Sequence, residues 1–405
     1  PIPRDSQFTA VDGAVTQRIT NLTDDDFLIT SGLAIPALGS CVVTLRNDKR
    51  AELNSPFHFA EEDSVAILET PHGTIRFQKD GTINSYKLRN SDRELVRATG
   101  SLNEFRTGED VPLAWDNWDI DADQATRMKH GGRLIHREVV ASGPLQFRLL
   151  QEFEIGRASR LWQHIIFHAD SPRITFETAV DWKEKHTLLK VFFDLDIHCE
   201  SARHEIQFGH VERPTHFNYP QDRARFEVCA HKWTDVSDNG FGVALLNDCK
   251  YGVSVLGSTI GLSLLKSGTH PDPRGDNGIH HFTYELLPHD GPFSVPSVVR
   301  PAYELNIPVL TTTHGEAAPT PLLELDTPNV IVEAVKWAED GSGFVARLYE
   351  AGRMGTPVTM RVNAPFREAG EANLLEERKS SIVFVDSKIH FLMKPFEIKT
   401  IKFTV

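Results

Sequence analysis

A mainly β chain, a large β-sandwich flanked by smaller β-sandwich domains, is predicted by three observations. Period-2 and β-branched apolar runs recur from one end to the other, as in Thr74-Ile75-Arg76-Phe77-Gln78 and residues 161–167. Turn-forming glycines and Asp-Gly pairs, among them Gly39, Gly73, Gly143, Gly240, Gly242 and Asp340-Gly341, punctuate those runs at sandwich-like intervals. No stretch carries apolar residues at i, i+3, i+4 and i+7 over three turns, so helices are few.

The elements follow in order. Residues 1–55 hold one small apolar group, 27–35 and then 41–45, closed by the polar run 47–54, and read as a small β domain or the C-terminal part of one. Residues 56–290 run strand after strand without a linker, as one large sandwich does. Within them Asp80-Gly81, between the Phe77 strand and Ile83 and Tyr86, marks a tight hairpin turn. Pro292, Pro296 and Pro301 then suggest a hinge, and residues 311–321 a loop rich in Thr, Pro and Ala. Residues 291–405 therefore read as a linker and a C-terminal β-sandwich. Its strands include the β-branched run 329–335 and the alternating run 396–403, with a short helical turn expected near 373–377.

Composition excludes several classes of function. The chain has 405 residues, 40% hydrophobic and 24% charged, which is globular rather than disordered. A formal net charge of -13 argues against nucleic acid or an anionic membrane surface as partner. Four cysteines without a CxxC pair suggest neither a disulfide framework nor a cysteine zinc knot, and reduced thiols point to the cytoplasm. No apolar run approaches the roughly 20 residues of a membrane span, and the N-terminus lacks the blocks of a signal peptide. The chain starts at Pro1 and enters a polar loop, PIPRDSQ, which fits the later part of a longer polypeptide or a processed product as well as a trimmed tag.

Chemistry-bearing residues concentrate in two places. Residues 205–290 crowd Arg213, His216, Asn218, His231, Trp233, Asp248, Lys250, Asp272, Arg274, Asp276, His280 and His289 near turns and strand ends, as a buried polar seam or a sugar-facing rim does. Arg213 is also a candidate for a buried pair with Asp222 or Glu212, which says little about function. The eighteen histidines form no HExxH or other compact ligand set, and GxSxG, GxGxxG and P-loop motifs are absent. The second place is DVPLAWDNWDI, residues 110–120, where Trp115 and Trp118 alternate with Asp116 and Asp119. An indole covers the C–H face of a pyranose while carboxylates accept its hydroxyls. The plainer alternative is a strand-end turn whose tryptophans fill the core and whose aspartates cap the turn.

Several segments are similar to the C-terminal half of α-mannosidases of glycoside hydrolase family 38, in the branch with cytosolic, vacuolar and bacterial enzymes. They are ETAVDWKEKHTLLKVFFDLDI (177–197), EIQFGHVERPTHFN (205–218), FEVCAHKWTDVS (226–237), GVALLNDCKYG (242–252) and the 271–289 segment, with 77–83, 110–120, 347–350 and 394–397 in support. The resemblance implies a galactose-mutarotase-like supersandwich and a protein that hydrolyses terminal α-mannosides with retention. It also implies an N-terminal catalytic α/β barrel and a helical domain in the same protein, with zinc whose ligands, like the catalytic aspartates, are expected outside this chain. A homo-oligomer stays open. No catalytic residue is assigned here. Trp115, Asp116, Trp118, Asp119, Arg274 and Asp276 are expected to line the substrate, and Arg213, His216 and Asn218 to fix a loop. A non-catalytic carbohydrate-binding sandwich is the alternative function.

Overall fold

The computed structural model describes residues 8–10, 14–47, 54–312, 316 and 320–405. The polar start of the chain, and parts of the runs at 47–54 and 311–321, lie outside the described residues. Two compact units emerge: Pro1–Ser31, Leu45–His204 and Glu212–Phe293 form the first, and Gly32–Thr44, Glu205–Val211 and Ser294–Val405 the second. Residues 1–55, expected as one small β domain, are thus divided between the units.

The first unit is a large antiparallel sandwich. Its ten-stranded sheet runs Val228–Cys229, Gly252–Leu256, Thr259–Lys266, Thr187–Asp194, Leu102–Glu109, Ile83–Leu88, Gly73–Phe77, Val65–Thr70 and His58–Glu62, with Lys129–His130 added beside Leu102–Glu109. In the other sheet this unit contributes, in order, Gly132–Ser142, Gln146–Ile155, Ser159–His168, Ile174–Trp182, Gly278–Asp290, Phe241–Asn247 and Trp233–Ser237. Strict alternation of burial along Gly73–Phe77 is what a strand with one face on a core requires. The Asp80-Gly81 turn closes as expected, with Thr82 N–H donating to Asp80 Oδ1 (3.0 Å) and Gln78 N–H to the Thr82 carbonyl (2.8 Å).

Facing aromatic residues bind the two sheets together. Phe77 meets Phe167, Phe105 meets Phe153 and Phe176 meets Phe193, each edge to face with centroids 6.2, 5.2 and 5.9 Å apart. Among them sits a closed polar ring. Asn103 donates to Gln163 Oε1 (2.7 Å), Gln163 to the Tyr284 hydroxyl (2.8 Å), and Tyr284 back to Asn103 Oδ1 (2.7 Å). All three are fully buried, so the ring satisfies polar groups that would otherwise oppose burial and fixes the register of one sheet on the other.

The second unit contains a smaller sandwich. One sheet orders Leu323–Leu325, Thr356–Val362, Lys388–Met393 and Phe384–Val385; the other orders Val330–Trp337, Gly343–Glu350, Ile398–Thr404, Glu368–Ala372 and Arg378–Ile382. Leu323, Leu348, Met360, Ile389, Ile401 and Phe403 are central to its core. The proline-rich stretch, read as a hinge, is where the chain passes from the first unit to the second, at Phe293 and Ser294, and it is locally ordered: Val295–Val299 forms a π-turn and Arg300–Asn306 a helix. Pro296 and Pro301 fall in the first positions of these turns, where a missing N–H costs nothing, and Ser294 caps by accepting from Ser297 N–H (3.2 Å). Residues 373–377 form a turn, not a helix, because Asn373 Oδ1 accepts from Leu375 and Glu377 N–H (3.0 and 2.9 Å). No helix among the described residues is long and apolar enough to cross a membrane.

Candidate substrate-facing site

Strand order brings three connections to one end of the large sandwich. Thr187–Asp194 lies between Leu102–Glu109 and Thr259–Lys266, with Thr187 opposite Glu109 and Leu188 opposite Lys266. The loops that leave or enter at those residues, 110–123, 183–186 and 267–277, are therefore neighbours. Backbone bonds stitch them: Asp110 N–H to the His186 carbonyl (2.8 Å), His186 N–H to Ser267 (2.7 Å) and Asn117 N–H to His270 (3.1 Å). Two glycines permit the close approach. A Cβ on Gly268 would lie 2.5 Å from the Asp116 carbonyl oxygen, and one on Gly275, whose φ is +52°, would lie 2.5 Å from that of Gly268.

Asp116 is the clamp of this arrangement. Although it follows an exposed residue, it is buried at 8% relative exposure. Its Oδ1 accepts from His270 N–H (2.6 Å), and its Oδ2 from Thr269 N–H (2.9 Å) and the Thr269 hydroxyl (3.2 Å). His186 Nδ1 stands 3.3 Å from the same Oδ2. Burial alone would raise the carboxyl pKa, but the donors from Thr269 and His270, together with His186, hold it below the ordinary value. Asp116 was expected to meet sugar hydroxyls, yet its oxygens are taken by protein donors, so its effect is to position the loop. Beneath it, buried Asp110 pairs with Lys266, and burial raises the Asp110 pKa.

The tryptophans take the opposite course. Trp115, at φ +57°, and Trp118 stack on each other with centroids 5.5 Å apart and planes at 17°, and Trp115 packs on the His270 ring at 5.0 Å. They remain 52% and 73% exposed, beside the almost fully exposed Leu113. The core-filling alternative therefore fails for both indoles, while the capping half of it holds for Asp116. Asp119 is exposed, its Oδ1 accepting from Ile120 N–H (2.9 Å).

The 272–276 loop joins the same end. Asp272 N–H donates to Asn117 Oδ1 (2.7 Å), and half-buried Asp276 accepts from Lys266 N–H through Oδ2 (2.7 Å), so Asp276 also points its carboxylate at the backbone. Arg274 is exposed, and its guanidinium has no hydrogen bond or ion pair among the described residues. The structure thus brings together Trp115, Asp116 and Trp118, ties the Arg274 loop to them, and leaves Asp119 on the solvent side. His186, Thr269 and His270 contact the Asp116 carboxylate and were not singled out by sequence reasoning. Their only signal is a strand register that no local spacing reveals.

Much of the 205–290 seam is satisfied internally. His289 Nε2 lies 2.8 Å from Asp235 Oδ2, both groups buried, and Lys250 stands over the Phe282 ring at 4.6 Å. His280 Nε2 contacts the Asp276 carbonyl at 2.5 Å. Arg213 does not pair with Asp222 or Glu212: its guanidinium reaches the Cys229 carbonyl (3.5 Å), Glu212 pairs with Arg203 (3.1 Å), and Asp222 faces His216 (3.6 Å). Asn218 is exposed. Among the described residues, no three His, Cys, Asp or Glu side chains gather as a metal site would need.

Comparisons with known proteins follow this geometry. Residues 68–274 match the family described as glycosyl hydrolases family 38 C-terminal domain, and residues 329–401 the glycosyl hydrolases family 38 C-terminal beta sandwich domain. A human protein named Alpha-mannosidase 2C1 is 36% identical over 377 residues, covering 90% of this chain and 36% of its own length. Alpha-mannosidase G of Dictyostelium discoideum is 38% identical over 360 residues, covering 83% and 32%. The chain thus spans about a third of the length of these relatives. A solved alpha-mannosidase from Enterococcus faecalis superposes with a TM-score of 0.72 at 15% identity over 98% of this chain and 49% of that one, which agrees with the fold.

Proposed function

We propose a function on the premise that this chain belongs to glycosyl hydrolase family 38, whose C-terminal domain and C-terminal beta sandwich domain it carries. In this reading the whole protein is an α-mannosidase that releases terminal α-mannose with retention, and the chain is its C-terminal β portion. An N-terminal catalytic α/β barrel and a helical domain of the same protein are its partners. In this reading zinc sits in that catalytic region, with its ligands outside this chain, and no catalytic step is assigned to the described residues.

The observation that carries the reading is likeness to relatives named α-mannosidases across both family modules. The clamped indole pair supports it chemically. Trp115 and Trp118 offer apolar faces to sugar C–H groups, Arg274 offers unengaged donors to hydroxyls, and Asp116 holds the platform rigid, which lowers the ordering cost of binding. Free thiols at Cys41, Cys199, Cys229 and Cys249 fit a reducing cytoplasm.

The test is hydrolysis of an aryl α-mannoside by the full-length protein, with loss of activity on chelation and recovery with zinc. A full-length protein inert on every α-mannoside tried would sink the enzyme reading. The exposed indoles alone also suit a non-catalytic carbohydrate-binding sandwich, and that reading takes over if the inert protein still binds mannosides.

A further inference from the structure

One stretch supplies the edge of both sheets of the small sandwich. Arg378–Ile382 closes the five-stranded sheet beside Glu368–Ala372, and Phe384–Val385 closes the four-stranded sheet beside Lys388–Met393. The outward backbone groups of 380–385 find no hydrogen bond among the described residues. Arg378 pins the start of the stretch, its guanidinium donating to the Glu368 carboxylate and to the Ala369 carbonyl (3.2 Å). Asp386 and Ser387, at φ +50° and +60°, turn the chain into the next strand. Between these anchors lies Ser-Ser-Ile-Val-Phe-Val, without charge, proline or glycine.

The opposite edges of the two sheets are blunted, and this one is not. Leu323–Leu325 is three residues long and carries Glu324, while Val330–Trp337 is kinked by a bulge between Val332 and Ala334 and carries Glu333 and Lys336. In 380–385, by contrast, Val383 and Val385 are 82% and 66% exposed. An uncharged, β-branched edge is a template for another strand. Its flanks specify which one. Laid antiparallel on itself about the Ile382–Val383 bond, the stretch sets Ile382 opposite Val383, Ser381 opposite Phe384, Ser380 opposite Val385 and Lys379 opposite Asp386. Lys379 and Asp386 are exposed and make no ion pair among the described residues. Twofold symmetry brings that opposite-charge pair twice, so the segment is its own complement.

We propose that residues 379–386 are a strand-pairing surface that joins two copies of this protein, through backbone hydrogen bonds across a twofold axis and through Lys379 of each copy on Asp386 of the other. The test is sedimentation velocity of the full-length protein in the parent, Lys379→Asp, Asp386→Lys, the Lys379→Asp/Asp386→Lys double variant and Val383→Glu, with far-ultraviolet circular dichroism reporting the fold. The expected result is a parental dimer at micromolar concentration. Its dissociation constant rises about tenfold or more in each single charge reversal, because the twofold counts every lost pair twice, and recovers in the double variant. Val383→Glu is expected to be monomeric. Overturning results are a monomeric parent, as when another part of the same protein covers the edge, a dimer insensitive to either reversal, or a double variant no tighter than the singles. The substituted side chains are all exposed, and misfolding cannot produce recovery in the double variant. Failure here leaves the enzyme reading intact.

Discussion

The loop end around Asp116 and the buried seam around Asp235 are built from the same residue types and do opposite things with them. In the seam, Asp235 and His289 bond to each other in the interior, and Ser237 donates to the Asp235 Oδ1 (2.9 Å), so the carboxylate is turned to the protein and away from solvent. At the loop end, Asp116 gathers donors from a second loop and by doing so holds two indoles outward. Polar density alone therefore does not mark a site. What sets the candidate site apart is a satisfied carboxylate, Asp116, beside exposed indoles.

Breaking the seam is expected to give the largest effect. Asp235→Ala leaves the buried His289 ring and the Ser237 hydroxyl without their acceptor and should cost about 1–3 kcal/mol, read as a lower denaturation midpoint of the chain. An equal loss of stability from Asp235→Ala and Trp118→Ala would erase the distinction between the two regions.

Acid offers a second, graded challenge to the large sandwich. Burial, and then the nearby arginines, lower the pKa of His168 and His204 to about 3 in the folded protein. Both are neutral in folded and unfolded chains above about pH 6.5, so their cost is absent there. As pH falls below that value only the unfolded chain takes up the protons, and stability declines until about pH 3. At pH 5 each histidine accounts for about 2 kcal/mol. His168→Gln should flatten this acid limb in pH-dependent denaturation, and an unchanged limb in variants at both histidines would refute the assignment.

Asp116→Asn removes charge from the clamp and should cost about 1–2 kcal/mol, less than the seam variant. In the full-length protein it should lower kcat/KM for α-mannosides by disordering the platform. Arg274→Ala is expected to be smallest, changing stability by less than about 0.5 kcal/mol and raising KM without changing kcat. A loss of folding in Arg274→Ala would contradict its unengaged, exposed placement.

The sequence showed the sandwich architecture readily because strand alternation and turn chemistry are local. Asp80-Gly81 announces its hairpin, and residues 329–335 announce their strand. Pro296 and Pro301 marked the passage to the second unit but not its local form, because proline both breaks chains and begins helices, and Ser294's cap belongs to the second case. The site was half legible. The alternation of Trp115, Asp116 and Trp118 drew attention, but nothing local says that the carboxylate goes in and the indoles stay out. That inversion depends on Thr269 and His270, some 150 residues later, which reach Asp116 only through sheet register.

The most direct measurement is kcat/KM for α-mannoside hydrolysis by the full-length protein carrying Trp115→Ala/Trp118→Ala. The predicted result is a normally folded enzyme whose kcat/KM falls about tenfold or more, in keeping with two lost indole contacts. Hydrolysis by the double variant at the parental rate would show that the exposed pair does not face the substrate.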